Sequence, residues 1–411
     1  MLVWGGSTAS DGLTLLVTPG SFARRMGDSM PATFADATVS GASVRFCDST
    51  LRDGEQMPGV AFSLQSRLEI ARELDALGVD EIEVGFAGAR AACADIAAVA
   101  DLGLRAHILA LCRPLSVDIA AALEAGVDGV KLVTTVSPVH LRHKFARAGA
   151  DVLREACSAV ECARAAGLFT QVSFEDATRS PIEDLVAGAQ AAVAAGAQSV
   201  TLADTVGVAT PALMRAIAAR IVDAVDVPVS AHCHNDFGLA VANSLAAVEG
   251  GARVLSTTVN GIGERSGNAS TADCALGLER LYGMKTSLDL RRLRQASALV
   301  AAHSGVPVPA HSPIVGDNCF RHESGIHVAA ILQDPSCYEP YDPALVGGER
   351  QLVLGKTSGR AAVRHVAKQL GVTLDEDDCR AVLRELKLRA ENGDAVDGTE
   401  IVRSVAVGAV L

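Results

Sequence analysis

The chain has 411 residues, 49% of them hydrophobic, and a formal net charge of −12. That length suits one large domain with a smaller one attached, and the apolar share suffices for a sizeable core. The acidic balance, without a long basic run, argues against a nucleic-acid partner, and no apolar stretch is long and unbroken enough for a membrane span.

Ten cysteines are scattered, mostly in apolar segments and without a C-x-x-C pair. They read as reduced thiols of a cytoplasmic protein rather than as a disulfide framework. Residues 1–40 lack a basic region before their short apolar run, so they make a poor signal peptide. They read as a loose extension, with Met26 or Met30 as an alternative start.

From residue 43 short β-rich runs alternate with Ala/Leu-rich amphipathic runs. The strand candidates are 44–50, 81–86, 105–112, 129–136, 169–176, 199–205, 227–236 and 254–261. Helical patterns such as SLQSRLEIARELDALG and PIEDLVAGAQAAVAAG lie between them and end in Gly, a common helix stop. Eight such units predict an α/β fold, a (β/α)8 barrel over residues 41–284. A doubly wound sheet is the rival, but no G-x-G-x-x-G follows the first strand. Residues 285–347, rich in Gly, Pro and His, read as an irregular arm or lid, and 348–411 as a small helical region. Its run TLDEDDCRAVLRELKLRAENG puts acids first and bases later, as the helix dipole favours.

In a barrel, chemistry sits at the C-terminal ends of the strands. Strand interiors there are expected to be Val, Ile and Leu, so polar residues gathered at strand ends stand out. They are Asp48, Arg52, Asp53, Glu55 and Gln56 at the first strand, Glu175 and Asp176 at the fifth, and Asp204 and Thr205 at the sixth. His232, His234, Asn235 and Asp236 follow the seventh, and Asn260, Glu264, Arg265 and Asn268 the eighth. Residues i and i+2 of a strand share a face, so His232 and His234 aim at one spot. Either they satisfy each other in the core, or they hold a metal. With a carboxylate from another strand end, for which Asp53 is the choice, they make a divalent-cation set with open positions.

Four stretches resemble one family. FCDSTLRDGEQMPGVAFS, AHCHNDFGLAVANSLAAVEGGA, TVNGIGERSGNAS and HESGIHVAAILQDPSCYEPYDPALVG are similar, in this order, to signatures of the 2-isopropylmalate synthase and homocitrate synthase family. These are acetyl-CoA-dependent, Claisen-condensing TIM-barrel enzymes. The resemblance implies a metal held by Asp53, His232 and His234, with Asn268 approaching or ligating it. It implies that Arg52 polarises the keto oxygen, that Gln56 supports it, and that Glu175 and Thr205 contact substrate. It implies that His327 deprotonates acetyl-CoA, with Tyr338 on the same arm, and that the arm crosses to the partner barrel of a homodimer. The mixed N/O donor set suits Mg, Mn, Zn or Co.

The same resemblance bears on the 2-oxo acid. The chain stops soon after a small helical tail, which matches homocitrate synthases and not leucine-regulated isopropylmalate synthases. Arg142, in SPVHLRHKF, matches the arginine that reads the distal carboxylate of 2-oxoglutarate. Lys131, inside the fourth strand, departs from that pattern, and with Arg113 it keeps phosphono- or phosphinomethylmalate synthesis open as an alternative. A lyase of the hydroxymethylglutaryl-CoA type is a further reading. It is disfavoured because GIGERSGN lacks the cysteine such lyases carry.

Overall fold

A computed structural model describes residues 42–88, 93–394 and 396–408; the extension 1–40 lies outside them. Eight strands alternate with eight helices: β1 Ser43–Asp48, β2 Glu81–Phe86, β3 His107–Cys112, β4 Gly129–Thr135, β5 Phe169–Glu175, β6 Ser199–Asp204, β7 Val229–Cys233 and β8 Val254–Thr257. The helices that follow them are α1 Leu64–Leu77, α2 Cys93–Ala100, α3 Ser116–Glu124, α4 Gly149–Ala165, α5 Ile182–Ala194, α6 Pro211–Val222, α7 Ala240–Glu249 and α8 Thr271–Leu281. Every strand pairs in parallel with the next, and β1 pairs with both β8 and β2, so the sheet closes. Register keeps the C-terminal ends level: Asp48 faces Thr257, Thr135 faces Glu175, and Asp204 faces Cys233. This is the (β/α)8 barrel that the alternation predicts.

The strand alternation separates two environments. Val44, Phe46, Ile82, Val84, Val130 and Leu132 point outward and join the layer beneath the helices. The intervening residues point into the barrel, where Cys47, Leu109 and Val254 form a small apolar cluster. The expectation of a Val/Ile/Leu interior is corrected here. Glu81, Glu83, Lys131 and Gln171 are each no more than 2% exposed. Such groups persist in a core only when paired. Gln171 Nε2 donates to Glu81 at 2.7 Å, and Lys131 Nζ donates to Glu83 at 2.9 Å.

Two strands end sooner than their sequence suggests. At β7 a turn with Gly238 N donating to Asn235 O takes over after Cys233. At β8, Asn260 adopts φ 60° and Gly261 φ 65°, conformations no strand accommodates. The helix α1 is bounded as its sequence predicts: Ser63 Oγ accepts from Ser66 N, and Gly78 turns out at φ 96°. A Cβ on Gly78 would also lie 2.4 Å from Ser287 O.

Beyond the barrel, α9 Leu293–Ser304 packs on α1, and the arm carries α10 Gly325–Ile331. Three helices, α11 Arg360–Gln369, α12 Glu376–Asn392 and α13 Gly398–Ala406, enclose a second small core of Val363, Val366, Val382, Leu386, Ile401 and Val402, which Val328 of the arm also enters. No helix among the described residues is long and apolar enough to cross a membrane. Asp375 and Asp378 form a reciprocal capping box at the start of α12. Replacing Asp375 with Ala is expected to lower stability by about 1 kcal/mol. A denaturation midpoint identical to the parent's would show that this cap contributes nothing.

Candidate active site

The barrel mouth holds a cleft of about 190 Å³ lined by residues from β3 to β7 and from the loops that follow β1, β6, β7 and β8. At its floor Asp53, His232 and His234 converge, with one ligand atom from each within 4.8 Å of the others. Asp53 Oδ2 lies 3.2 Å from His232 Nε2 and 3.8 Å from His234 Nε2. The two Nε2 atoms are 3.2 Å apart, with the rings edge to face. His232 sits in β7, while His234 lies just past it, bridged to Asn268. The shared face expected from their spacing is therefore realised across a strand end.

The donor set fits a divalent cation. Burial, then His232, push the His234 pKa down to about 3, so its ring is neutral and keeps a lone pair. Burial alone would raise the Asp53 carboxyl, but Arg52, His232 and His234 outweigh it and hold it well below the usual range. Asn268 Nδ2 donates to Asp53 Oδ1 and to Ile262 O, both at 3.1 Å, which leaves its Oδ1 buried without a partner beside the carboxylate. An orphaned acceptor next to two imidazole nitrogens and a carboxylate is what a hard or borderline cation satisfies.

Gly263 makes that packing possible. At φ 155°, a Cβ there would stand 2.0 Å from Asn268 Nδ2 and 2.9 Å from Asp53 Oδ1.

Behind the cleft wall, bonded to Arg52 and Lys131, lies a residue that sequence reasoning missed. Glu83, fully buried on β2, accepts from Arg52 Nε at 2.7 Å, Lys131 Nζ at 2.9 Å and Ser49 Oγ at 3.1 Å. Burial would raise its carboxyl, but Arg52 and Lys131 bring it down to about 2. Arg52 Nη1 donates onward to Asp53 Oδ2 at 2.7 Å. One continuous chain of charge thus runs Lys131–Glu83–Arg52–Asp53. The signal in the sequence was the inward register of Glu83 within EIEVGF, where Ile82 and Val84 face the helices.

Of the residues singled out in the sequence, Arg52, Asp53, Gln56, Lys131, Glu175, Thr205, His232 and His234 line the cleft, with Glu264 and Arg265 at its edge. Asn268 is bonded to Asp53 from behind. Glu175 meets Lys144 Nζ at 2.5 Å and His140 Nδ1 at 3.6 Å. Thr205 Oγ1 accepts from Asp176 N at 2.7 Å. Other strand-end polar residues are structural. Asp176, fully buried, takes Ser137 Oγ and Arg179 Nε. Asp204 accepts from Thr178 Oγ1 and Ala209 N, Asn235 from Ala240 N, and Asn260 exchanges bonds with Ser297.

Four candidates are not brought into the cleft. Arg113 is paired to Asp118 at 2.8 Å. Arg142 is exposed on a five-residue π-helical turn, Leu141–Phe145. His327 and Tyr338 are exposed on the arm, their rings stacked with centroids 3.9 Å apart.

Fold and site together define a class: a (β/α)8 barrel that gathers two imidazoles and a carboxylate at its C-terminal mouth. Comparison with known proteins narrows it. A family model described as HMGL-like matches residues 43–300, and one described as homocitrate synthase post-HMGL domain-like matches 314–394. The chain is 46% identical over 365 residues to homocitrate synthase AksA of Methanopyrus kandleri, covering 87% of this chain and 91% of that protein. It is 41% identical to (R)-citramalate synthase CimA of Methanocaldococcus jannaschii, covering 88% and 74%, and 38% identical to 2-isopropylmalate synthase of Sulfurisphaera tokodaii, covering 90% and 96%. Among solved structures, the HMG-CoA lyase of Bacillus subtilis superposes with a TM-score of 0.61 at 23% identity, covering 67% of this chain and 98% of that one, a likeness of fold alone. The chain belongs to the homocitrate synthase and 2-isopropylmalate synthase family, and it is an acyltransferase.

Substituting Gly263 by Ala tests the packing behind the site. The variant is expected to fold with a lowered melting temperature and to turn over about 100-fold more slowly, because Asn268 and Asp53 must shift to admit the methyl group. Parent-like turnover would show that their placement does not govern the reaction.

Proposed function

We propose that the protein condenses acetyl-CoA with an anionic 2-oxo acid, 2-oxoglutarate being the favoured acceptor, and hydrolyses the resulting thioester to release CoA and homocitrate. The reading rests on one observation above others: the Asp53–His232–His234 set and Arg52 open into a single cleft at the barrel mouth. The 46% identity to a homocitrate synthase supports it.

Asp53, His232 and His234 would hold the divalent ion, with Asn268 beside it, and Mg, Mn, Zn or Co all suit these donors. When bound, such an ion supplies Lewis acidity to the keto group of the acceptor. Arg52 holds fixed positive charge where the alkoxide develops. Gln56, Glu175 and Thr205, at the rim, orient the acceptor. His327 takes the proton from the acetyl methyl group, a task suited to an imidazole near neutral pH.

His327 and Tyr338 are solvent-exposed and absent from their own chain's cleft, and Ile326 beside them is 77% exposed. That exposure supports a homodimer in which each arm completes the partner's site.

The choice of acceptor rests on charge. Lys131 is already matched by Glu83, which weakens its case as a reader of an extra phosphonate charge. Arg142 has no ion-pair partner among the described residues. It stands on a turn whose Lys144 reaches Glu175 of the cleft. An unpaired guanidinium there suits the distal carboxylate of 2-oxoglutarate.

Release of free CoA tests the proposal, with 2-oxoglutarate, 2-oxoisovalerate, pyruvate, oxaloacetate and phosphonopyruvate as acceptors. The expected outcome is thiol release with 2-oxoglutarate that stops on chelation and returns on adding a divalent salt. Replacing Asp53 with Ala should abolish it. Replacing Arg142 with Ala should raise KM for 2-oxoglutarate by about 30-fold with kcat largely retained, the loss of one charge-assisted contact. Silence with every acceptor would sink the reading, and an unchanged KM in the Arg142 variant would remove Arg142 as the reader of the acceptor's distal carboxylate.

A further inference from the structure

Arg52 is the cation expected at the reacting keto group, yet two buried carboxylates claim it. Its Nη1 donates to Asp53, and its Nε and Nη2 to Glu83 at 2.7 and 3.3 Å. Two full negative charges within hydrogen-bond distance of one guanidinium would leave this part of the cleft net negative, where an anionic acceptor needs the opposite. Lys131 changes the balance. It is 2% exposed on β4, its Nζ lies 2.9 Å from Glu83 Oε2 and 3.6 Å from Cys47 Sγ, and it lines the same cleft. A lysine carries no acceptor, so within bonding reach of a carboxylate it acts as a charge donor only.

We propose that Lys131 is a positioning residue that acts through Glu83: by occupying one oxygen of that carboxylate, it leaves Arg52 effectively positive toward the acceptor. Lys131 itself does not touch the substrate. The four side chains Lys131, Glu83, Arg52 and Asp53 are balanced as a set, and removing the one farthest from Asp53 along that chain of contacts neutralises Arg52 through Glu83. At separations near 3 Å inside a protein, a single charge is strongly felt. Removing both Lys131 and the Glu83 charge restores the balance.

The inference deepens the proposed condensation and rests on it. The full-length enzyme is assayed for kcat/KM toward the 2-oxo acid as wild type, K131M, K131R, E83Q and E83Q/K131M, with circular dichroism reporting folding. K131M is expected to lose about 30-fold in kcat/KM for the acceptor, while KM for acetyl-CoA is unmoved; a purely structural defect would not produce that split. K131R is expected to recover at least about 10-fold of the loss, because it keeps the charge. In the E83Q background, K131M is expected to cost less than about 3-fold more, since nothing is left for Lys131 to neutralise.

A further loss of 10-fold or more in that background would mean that Lys131 contacts the acceptor directly, and the inference is overturned. Wild-type kinetics in K131M overturns it as well. Should K131M not fold, the E83Q pair still decides, because it leaves no buried carboxylate without a cation. A wild type that releases no CoA with any acceptor fails the proposed condensation and takes this inference with it. A wild type that turns over with Lys131 indifferent fails this inference alone.

Discussion

One carboxylate organises this molecule. Asp53 accepts hydrogen bonds from the Arg52 guanidinium at 2.7 Å and from the Asn268 amide at 3.1 Å, and it faces two imidazoles. These partners come from the loop after β1, the strand β7 and the glycine loop after β8. In sequence they lie more than 200 residues apart from one end to the other. Only a closed parallel sheet, with β1 seated between β8 and β2, brings them within hydrogen-bond distance. The barrel is thus a condition of the site as well as its support.

A second consequence concerns the interior. Packing a charged ladder inside a small barrel costs desolvation, and a well-packed apolar interior would often be as stable or more so. Here Glu81 with Gln171, and Glu83 with Lys131 and Arg52, occupy that space. Each group is matched, so none is stranded. The arrangement contributes position rather than net stability: Glu83 fixes Arg52 from one side while Asp53 fixes it from the other. A guanidinium held at both ends needs little reorganisation when charge develops beside it, which is how preorganised sites act.

Much of this was legible before any coordinates. The eight-fold alternation gave the barrel, and two histidines two residues apart gave a shared face. A carboxylate at the first strand end completed the set. What composition and spacing do not encode is which strand-end polar residue faces the cleft and which caps a loop. Asp176, Asp204, Asn235 and Asn260 look like Glu175 and Thr205 in the sequence, yet all four satisfy backbone or neighbouring side chains. The pairing of Glu83 with Lys131 was illegible for another reason. The two residues are 48 positions apart, on strands with β3 between them, and meet only because inward-facing side chains converge as the sheet curves shut. Lys131 stood out as a departure, but nothing local named its partner. His327 and Tyr338, singled out on the arm, stack on each other outside this chain's cleft.

Charge ties these levels together. A chain of net charge −12 repels anions at long range, but at physiological salt that field fades over about 8 Å, so only the cleft's own charges matter to a bound acceptor. Within it, Arg265 is spent on Asp236, and Glu175 on Lys144. Arg52 and Lys131 then stand against Asp53 and Glu264 of the cleft and Glu83 behind it. Apart from the two imidazoles, the side chains leave the cleft slightly negative, a poor receptor for a 2-oxo acid. A dication held by Asp53, His232 and His234 would reverse that sign by itself. On the proposed reading, the side chains would make a site for a cation, and that cation together with Arg52 would make a site for the anion. Lys131 belongs to the same logic one step further back: without it Glu83 would cancel Arg52, and much of the reversal would be lost.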